Sequence, residues 1–179
     1  MSEFRVLEYQ DTWPGQYSQV AVELRSAIPA TNAALEHIGS TAVPGLCAKP
    51  VIDVLLGLTS LNQVDERVSA LAAIGFIYRP EYESQIPQRR YFVKPEGQTL
   101  RVHLHAVIRG GKLWQQHLLF RDLLRNDQGV RTSYALLKKY IALLHASDKA
   151  AYTEAKAPFI KQVLATQSAQ TVGASHGAA

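Results

Sequence analysis

The sequence has a single cysteine, Cys47, among its 179 residues and no long uninterrupted apolar segment. One cysteine excludes an internal disulfide framework and a cysteine-rich zinc site, and it is typical of proteins in a reducing cytosol. No apolar run reaches the roughly 20 residues that a membrane-spanning helix needs. The opening MSEFRVLEYQ lacks the basic start and apolar centre of a secretion signal. We therefore expect a cytoplasmic protein that does not bind membranes.

Charge of one sign is not concentrated anywhere in the sequence. The formal net charge is +4, and the densest basic pairs are Arg89-Arg90 and Lys138-Lys139. Nucleic-acid-binding proteins usually gather basic residues on one face within a recognisable module, and neither feature is present. The pattern predicts no nucleic-acid partner. The positive charge either solubilises the surface or, beside a cleft, suits a phosphorylated small molecule.

The order of predicted elements indicates one domain over residues 1–165, followed by a flexible C-terminal tail over 166–179. We predict an α+β fold, in which a small mixed β-sheet has helices packed mainly on one side. A helix starts at Thr12-Trp13-Pro14, and a second follows a capping-box pattern at Ser60–Gln63 and runs through Ala73. Strands are predicted at 34–38, 50–58, 89–94 and 100–108, and three helical segments follow, with apolar stripes at 113–124, 134–144 and 152–163.

A turn of small polar residues, Gly39-Ser40-Thr41, follows the first predicted strand. Such a turn can direct backbone N–H groups and two hydroxyls at an anion. It is not a Walker loop, because Leu46-Cys47 occupies the place of the lysine and the hydroxyl residue. The turn is either a phosphate-binding element or an ordinary chain reversal.

Asp53 interrupts the apolar strand PVIDVLL, where an unpaired carboxylate would be costly to bury. A metal or cation beside it is one explanation, and a hydrogen bond to a backbone amide at the strand end is the other. His103 and His105 share one face of a later strand with Arg101, because side chains alternate along a strand. Such histidine pairs commonly bind metals, but they also occur as polar residues on half-exposed sheets.

Two further residues lie close to the turn in the sequence. His37 and Glu36 precede it, and only one of them can face the same side of the sheet as Ser40. His37 is either a ligand-binding residue or a structural histidine. Lys49 precedes the Asp53 strand and can reach a phosphate as a mobile point charge, or it is a solvated loop lysine.

The segment EHIGSTAVPGLCAKPVIDVLL, with the later LRVHLHAV, FRDLLR and AYTEAKAPFI, resembles the GrpB-like proteins. The resemblance extends from about Val6 to about Leu164 and implies a nucleotidyltransferase fold. It places Gly39, Ser40 and Thr41 at a phosphate-binding turn, with Lys49, Asp53, Arg101, His103 and His105 lining the cleft. A related domain is fused to dephospho-coenzyme A kinase in some bacteria.

The sequence departs from the active nucleotidyltransferase pattern at the acidic residues. Those enzymes pair two carboxylates two positions apart, whereas Asp53 has Val51 and Leu55 at those positions. Asp53, His103 and His105 would suit one transition ion such as Zn²⁺ or Mn²⁺ better than two Mg²⁺ ions. Two hypotheses follow: a transferase acting on phosphorus-containing groups, with these three residues as catalytic groups, or a non-catalytic module that binds a nucleotide or coenzyme A precursor.

Overall fold

The computed structural model of the protein describes residues 5–29, 32–97 and 100–174. No helix in these ranges combines the length and the apolar character that crossing a membrane requires. The strands are β1 (Ala34–Ile38), β2 (Val51–Leu58), β3 (Ile77–Tyr78), β4 (Arg89–Lys94) and β5 (Arg101–Ile108). The helices are α1 (Trp13–Ala27), α2 (Asn62–Asp65), α3 (Val68–Ala73), α4 (Lys112–Asn126), α5 (Gln128–Leu144), α6 (Lys149–Glu154) and α7 (Ala157–Ala174).

The strands form one mixed sheet in the order β1-β2-β5-β4-β3. The central pair, β2 and β5, is parallel, and every other neighbouring pair is antiparallel. The predicted α+β class and the mixed sheet are confirmed. Residues 98–99 of the connection between β4 and β5 lie outside the described ranges.

The main core lies on the sheet face formed by the even-numbered residues of β2 and β5. Strand alternation directs Val54, Leu56, Val102 and Leu104 into this core, and each is at most 1% exposed. Helices α1 and α3 cover this face with other buried apolar side chains, which include Val20, Leu24 and Leu71. Val20 and Leu24, about one turn apart, thus form the apolar side of α1 that packs on the sheet.

The opposite face of the sheet is only partly covered. Trp114 of α4 packs on Leu55 and Val107, next to Gly57 of β2. A methyl group at Gly57 would lie 2.5 Å from the Trp114 ring, so only glycine lets the helix approach this closely. Helices α5 and α7 pack against α4, and their apolar residues meet Val43 and Leu46 beyond the end of β1. The remaining part of this face carries polar side chains.

The helix predicted from Ser60 to Ala73 is two short helices, α2 and α3. The carboxamide of Gln63 does reach back to the backbone N–H of Ser60, at 3.4 Å, as the capping pattern indicates. However, the chain leaves helical geometry at Arg67. Tertiary contacts hold the two halves separately, since Asp65 forms a salt bridge with Arg90 of β4 whereas Leu71 is in the core.

The last predicted helix is likewise divided, into α6 and α7. Pro158 lies in the first turn of α7, where its missing N–H is tolerated, but it could not continue a helix from α6. Asp148 caps α6 by accepting from the Ala151 N–H. Helix α7 extends to Ala174, beyond Thr166 where we predicted the tail to begin, because no proline interrupts residues 159–174. Residues 175–179 lie outside the described ranges.

Candidate functional site

Asp53, His103 and His105 meet on the polar part of the sheet. The parallel pairing of β2 and β5 places Asp53 directly opposite His103, with His105 two residues further on the same face. The Nδ1 atom of His103 is 3.2 Å from Asp53 Oδ1, and Nε2 of His105 is 3.7 Å from the same oxygen. The three residues predicted as catalytic groups and metal ligands therefore share one location, which we call the Asp-His cluster.

An arginine lies at each end of the Asp-His cluster. The Nε–H of Arg101 donates to Nε2 of His103 at 3.1 Å, and Nη1 of Arg89 is 3.5 Å from Nδ1 of His105. A guanidinium group only donates hydrogen bonds, so these two ring nitrogens are acceptors. The protons of the neutral rings therefore lie on His103 Nδ1 and His105 Nε2, the atoms that face Asp53.

The Asp-His cluster stabilises the ionised form of Asp53. Its burial opposes ionisation, but hydrogen bonds from His103 and His105 outweigh that effect and hold the pKa of the carboxyl well below its usual range. Burial in turn lowers the pKa of His105, although Asp53 opposes the change. The site therefore combines one ionised acid with imidazole N–H groups directed at it.

The predicted phosphate-binding turn packs directly on Asp53. Gly39 adopts φ of 71°, a region that residues with a side chain avoid. A methyl group at Gly39 would lie 2.3 Å from Asp53 Oδ2, so the close approach also requires glycine. Ser40 begins a short 3-10 turn, Ser40–Ala42, and its hydroxyl accepts from the Lys138 ammonium at 2.9 Å. The turn thus links the Asp-His cluster to helix α5.

His37 and Thr41, two predicted ligand-binding residues, are used in internal contacts. His37 lies on the opposite sheet face from Asp53, stacked on Tyr17 of α1 with 4.6 Å between ring centroids. Thr41 is buried and donates to the Val51 carbonyl at 3.0 Å, so it accepts from His37 Nε2 at 3.1 Å. Strand alternation explains why Glu36, not His37, faces the cluster side. Burial lowers the pKa of His37 to about 4.

Lys49 lies beside Tyr152 of α6, with its ammonium 3.7 Å from the ring centroid. Lys156, in the link between α6 and α7, is 4.7 Å from the centroid of the same ring. Burial lowers the pKa of Lys156, while the charge of Asp53 opposes that change. The C-terminal helices therefore contribute cations to the site, a contribution that the sequence analysis did not predict.

Lys138 is more buried than Lys49 and Lys156, at 2% exposure. It lies on the same helical face as Tyr134 and Ile141, both buried, whereas Leu144, which we expected on the apolar stripe, is 59% exposed. The spacing i, i+4, i+7 of Tyr134, Lys138 and Ile141 was a usable sequence signal, because it placed a lysine on a buried face.

Helix α4 closes one side of the site with two residues that the sequence analysis did not single out. The ring of His117 lies 5.6 Å from that of His105, and burial lowers the pKa of His117 to about 4. Arg121 donates to Glu36 at 2.6 Å and to the His37 carbonyl at 3.2 Å, which ties α4 to β1. Arg121 belongs to FRDLLR, but nothing in the spacing of that segment indicates its partner on β1.

The comparisons with known structures identify the class of fold. Over 83% of this chain and 49% of the other, the structure resembles the Cid1 poly(U) polymerase with magnesium and 3'-dATP bound, with a TM-score of 0.54 at 12% identity. A crystal structure of the conserved protein GrpB from Enterococcus faecalis matches 89% of this chain and 94% of that one, at 34% identity and a TM-score of 0.78. The fold is that of the nucleotidyltransferases.

The sequence comparisons identify the family. The GrpB protein family pattern matches residues 3–166, and the chain belongs to the GrpB family. The UPF0157 protein YqkA of Bacillus subtilis is 33% identical over 87% of this chain, which spans 45% of that relative. A dephospho-CoA kinase of Mycolicibacterium paratuberculosis is 27% identical over 88% of this chain, which spans 44% of the kinase. The chain thus corresponds to less than half the length of both relatives.

Proposed function

We propose that the protein binds a phosphorylated small molecule or a nucleotide on the polar sheet face. The main observation that supports the proposal is the excess of positive charge around Asp53. Arg89 and Arg101 form no salt bridge with a carboxylate among the described residues, and Lys156 likewise lacks one. Glu36 on the same side is paired with Arg121, which leaves Asp53 as the carboxylate beside these three cations, so an anionic ligand would stabilise the site.

The Gly39–Ser40 turn supports a phosphate as the anionic group. It lies against Asp53 and follows a strand, which is the setting in which backbone N–H groups bind phosphate oxygens. Arg101 presents a planar fork that suits two phosphate oxygens. Lys49, which we predicted as a phosphate ligand, would reach the ligand from the side of α6.

The Asp-His cluster also offers a place for one divalent metal ion. One ligand atom from each of Asp53, His103 and His105 lies within 4.8 Å of the others. One carboxylate and two imidazoles fit a single Zn²⁺ or Mn²⁺ better than a pair of Mg²⁺ ions, which prefer oxygen ligands. When bound, such an ion would polarise a phosphoryl oxygen. Arg101 and the turn would orient the phosphate in nucleotidyl or phosphoryl transfer.

A second candidate function is binding without catalysis, and the contacts of His103 favour it. Both of its ring nitrogens already have partners, Asp53 on one side and Arg101 on the other. A metal at Nδ1 would move the proton to Nε2, which would then face the Arg101 N–H donor. The protein would in that case hold a nucleotide or coenzyme A precursor, in a cytoplasmic location as the sequence predicts.

Thermal unfolding with matched ligands tests the binding proposal, because a ligand that binds the native state raises its melting temperature. We expect AMP and ATP to raise the Tm and adenosine, which lacks phosphate, to have no effect. Arg101→Gln should weaken the phosphate effect. Arg79→Gln, which removes an exposed arginine paired with Glu81, is the matched control. Equal shifts with adenosine and ATP, or no shift with any phosphate, would contradict the proposal.

Turnover and metal content distinguish the two functions. Protein incubated with each nucleoside triphosphate and Mg²⁺, Mn²⁺ or Zn²⁺ should release product if it is an enzyme, and Asp53→Asn should abolish the release. A stable complex without turnover identifies the binding module. Elemental analysis of untreated protein gives an independent result: a metal content unchanged by His103→Ala excludes that residue as a ligand.

A further inference from the structure

The geometry points to Ser40 as a nucleophile and to Lys138 as the general base that takes its proton. This inference rests on the proposed function, since the electrophile would be the phosphorus of the bound phosphate ester. It adds a covalent step at the turn, where the proposed function needs only binding. Ser40 lies in the turn that follows β1, and Lys138 lies in α5, 98 positions later in the sequence.

The contact between the two side chains meets the geometric requirement for proton transfer. The Lys138 nitrogen is 2.9 Å from the Ser40 hydroxyl oxygen, and a base must lie within about 2.6–3.2 Å of the proton that it removes. Lys138 also donates to the Cys47 carbonyl, and it lies 4.9 Å from the Tyr134 ring centroid. These contacts hold the amine toward the serine, as a third group orients the base in other nucleophile–base pairs.

The surroundings of Lys138 favour its uncharged form. Lysine is almost never fully buried unless it is paired, and Lys138 forms no salt bridge within the described part of the chain. Burial is the main cause that lowers its pKa, to about 7. The Cys47 side chain opposes this change, and the nearby Lys156 adds to it. A substantial fraction of the Lys138 side chains therefore carries a free electron pair at neutral pH.

Ser40 is placed where a ligand can reach it. It follows the left-handed Gly39 at the point where β1 turns into a short helical segment, and it is half-buried, whereas Lys138 beneath it is buried. Other hydroxyls of the turn are less suitable, because Thr41 is 1% exposed and already bonded to His37 and Val51. The serine is therefore open to a ligand, and the base lies directly beneath its hydroxyl.

The Ser40 oxygen forms a bond to phosphorus while its proton moves to the Lys138 amine. The bond from phosphorus to the leaving oxygen breaks, and that oxygen takes the proton from Lys138 as it departs. Water then attacks the phosphoserine, with Lys138 again removing and returning a proton, so that phosphate is released and Ser40 is restored.

A fluorophosphonate probe tests the inference on the full chain. Its reaction forms the serine oxygen–phosphorus bond and releases fluoride, and intact mass spectrometry detects one adduct. We expect one adduct on the wild-type protein, mapped to Ser40, and none on Ser40→Ala. Lys138→Arg should slow labelling at least tenfold, since arginine keeps the positive charge but does not act as a base. Lys139→Arg, which changes an exposed lysine paired with Glu8, should label at the wild-type rate.

The Lys138 variants distinguish a role of this lysine as a base from a purely structural contact with Ser40. Circular dichroism and the Tm confirm folding, and Lys138→Met gives the same test if arginine does not fit the buried position. Absence of an adduct on the wild-type protein, an adduct at another residue, or wild-type labelling of Lys138→Arg would overturn the inference. If phosphate ligands still raise the Tm in those cases, the proposed function stands while the covalent step fails.

Discussion

His37 should make the protein sensitive to acid, and replacing it should remove a defined part of that sensitivity. The imidazole is 8% exposed, stacks on Tyr17 and donates its Nε2 proton to Thr41. The folded state therefore accommodates the neutral ring, and burial lowers its pKa to about 4 from the ordinary 6.5. In the unfolded chain the ring is solvated and takes up its proton with the ordinary pKa of 6.5.

The size of the effect follows from these two pKa values. The contribution of His37 to stability is fully present above pH 6.5 and is lost as the pH falls toward 4, because only the unfolded state binds the proton. A difference of about 2.5 units at 1.36 kcal/mol per unit gives a total loss of about 3 kcal/mol. Between pH 7 and pH 5 the expected loss is about 2 kcal/mol.

Urea unfolding at several pH values between 7.5 and 4.5 measures this loss. His37→Gln preserves an N–H donor toward Thr41 but has no group that titrates in this range. It should be less stable than the wild type at pH 7.5, because the stack on Tyr17 is lost. Its free energy of unfolding should then fall by about 2 kcal/mol less than that of the wild type between pH 7 and pH 5. His145→Gln, at the end of α5, is the matched control.

The comparison between variants isolates His37 from other buried groups. The pKa of His117 is also lowered to about 4, so the wild-type protein loses more stability in acid than His37 alone explains. His117 is present in both proteins and cancels in the difference. Parallel curves for the wild type and His37→Gln would refute the reasoning, since they would mean that His37 takes up its proton equally in both states.

Two glycine substitutions should show how closely the site is packed. Gly39→Ala should destabilise the protein by about 1–3 kcal/mol more than Gly45→Ala, because both glycines have positive φ but only Gly39 faces Asp53, at 2.3 Å from the added methyl. Equal losses in urea unfolding would show that Asp53 moves aside. Gly57→Ala should cost about 1–3 kcal/mol, since its methyl would meet Trp114 at 2.5 Å. If the Tm and the tryptophan emission of Gly57→Ala equal those of the wild type, α4 moves to accommodate the methyl group without strain.

Local patterns predicted four of the five strands in the described part of the chain and most of the helices, whereas the two-residue strand β3 was not predicted. Alternation in LRVHLHAVI placed His103 and His105 on one face, and the apolar run around Asp53 predicted a strand. Both predictions are confirmed because the period of a strand fixes which side chains share a face. Helix ends were predicted less well, since Pro158 and the contacts of Asp65 divide segments that appear continuous in the apolar pattern.

Local periodicity and chain geometry suffice to predict, from the sequence alone, that a glycine turn follows a strand and that one carboxylate and two imidazoles lie on strands of an α+β fold. The position of Asp53 opposite His103 and the contact between Lys138 and Ser40 are visible only in the folded chain. The same holds for the orientation of His37 away from the cluster. Strand pairing and helix packing join residues far apart in the chain, and no periodicity along the chain encodes which of them meet.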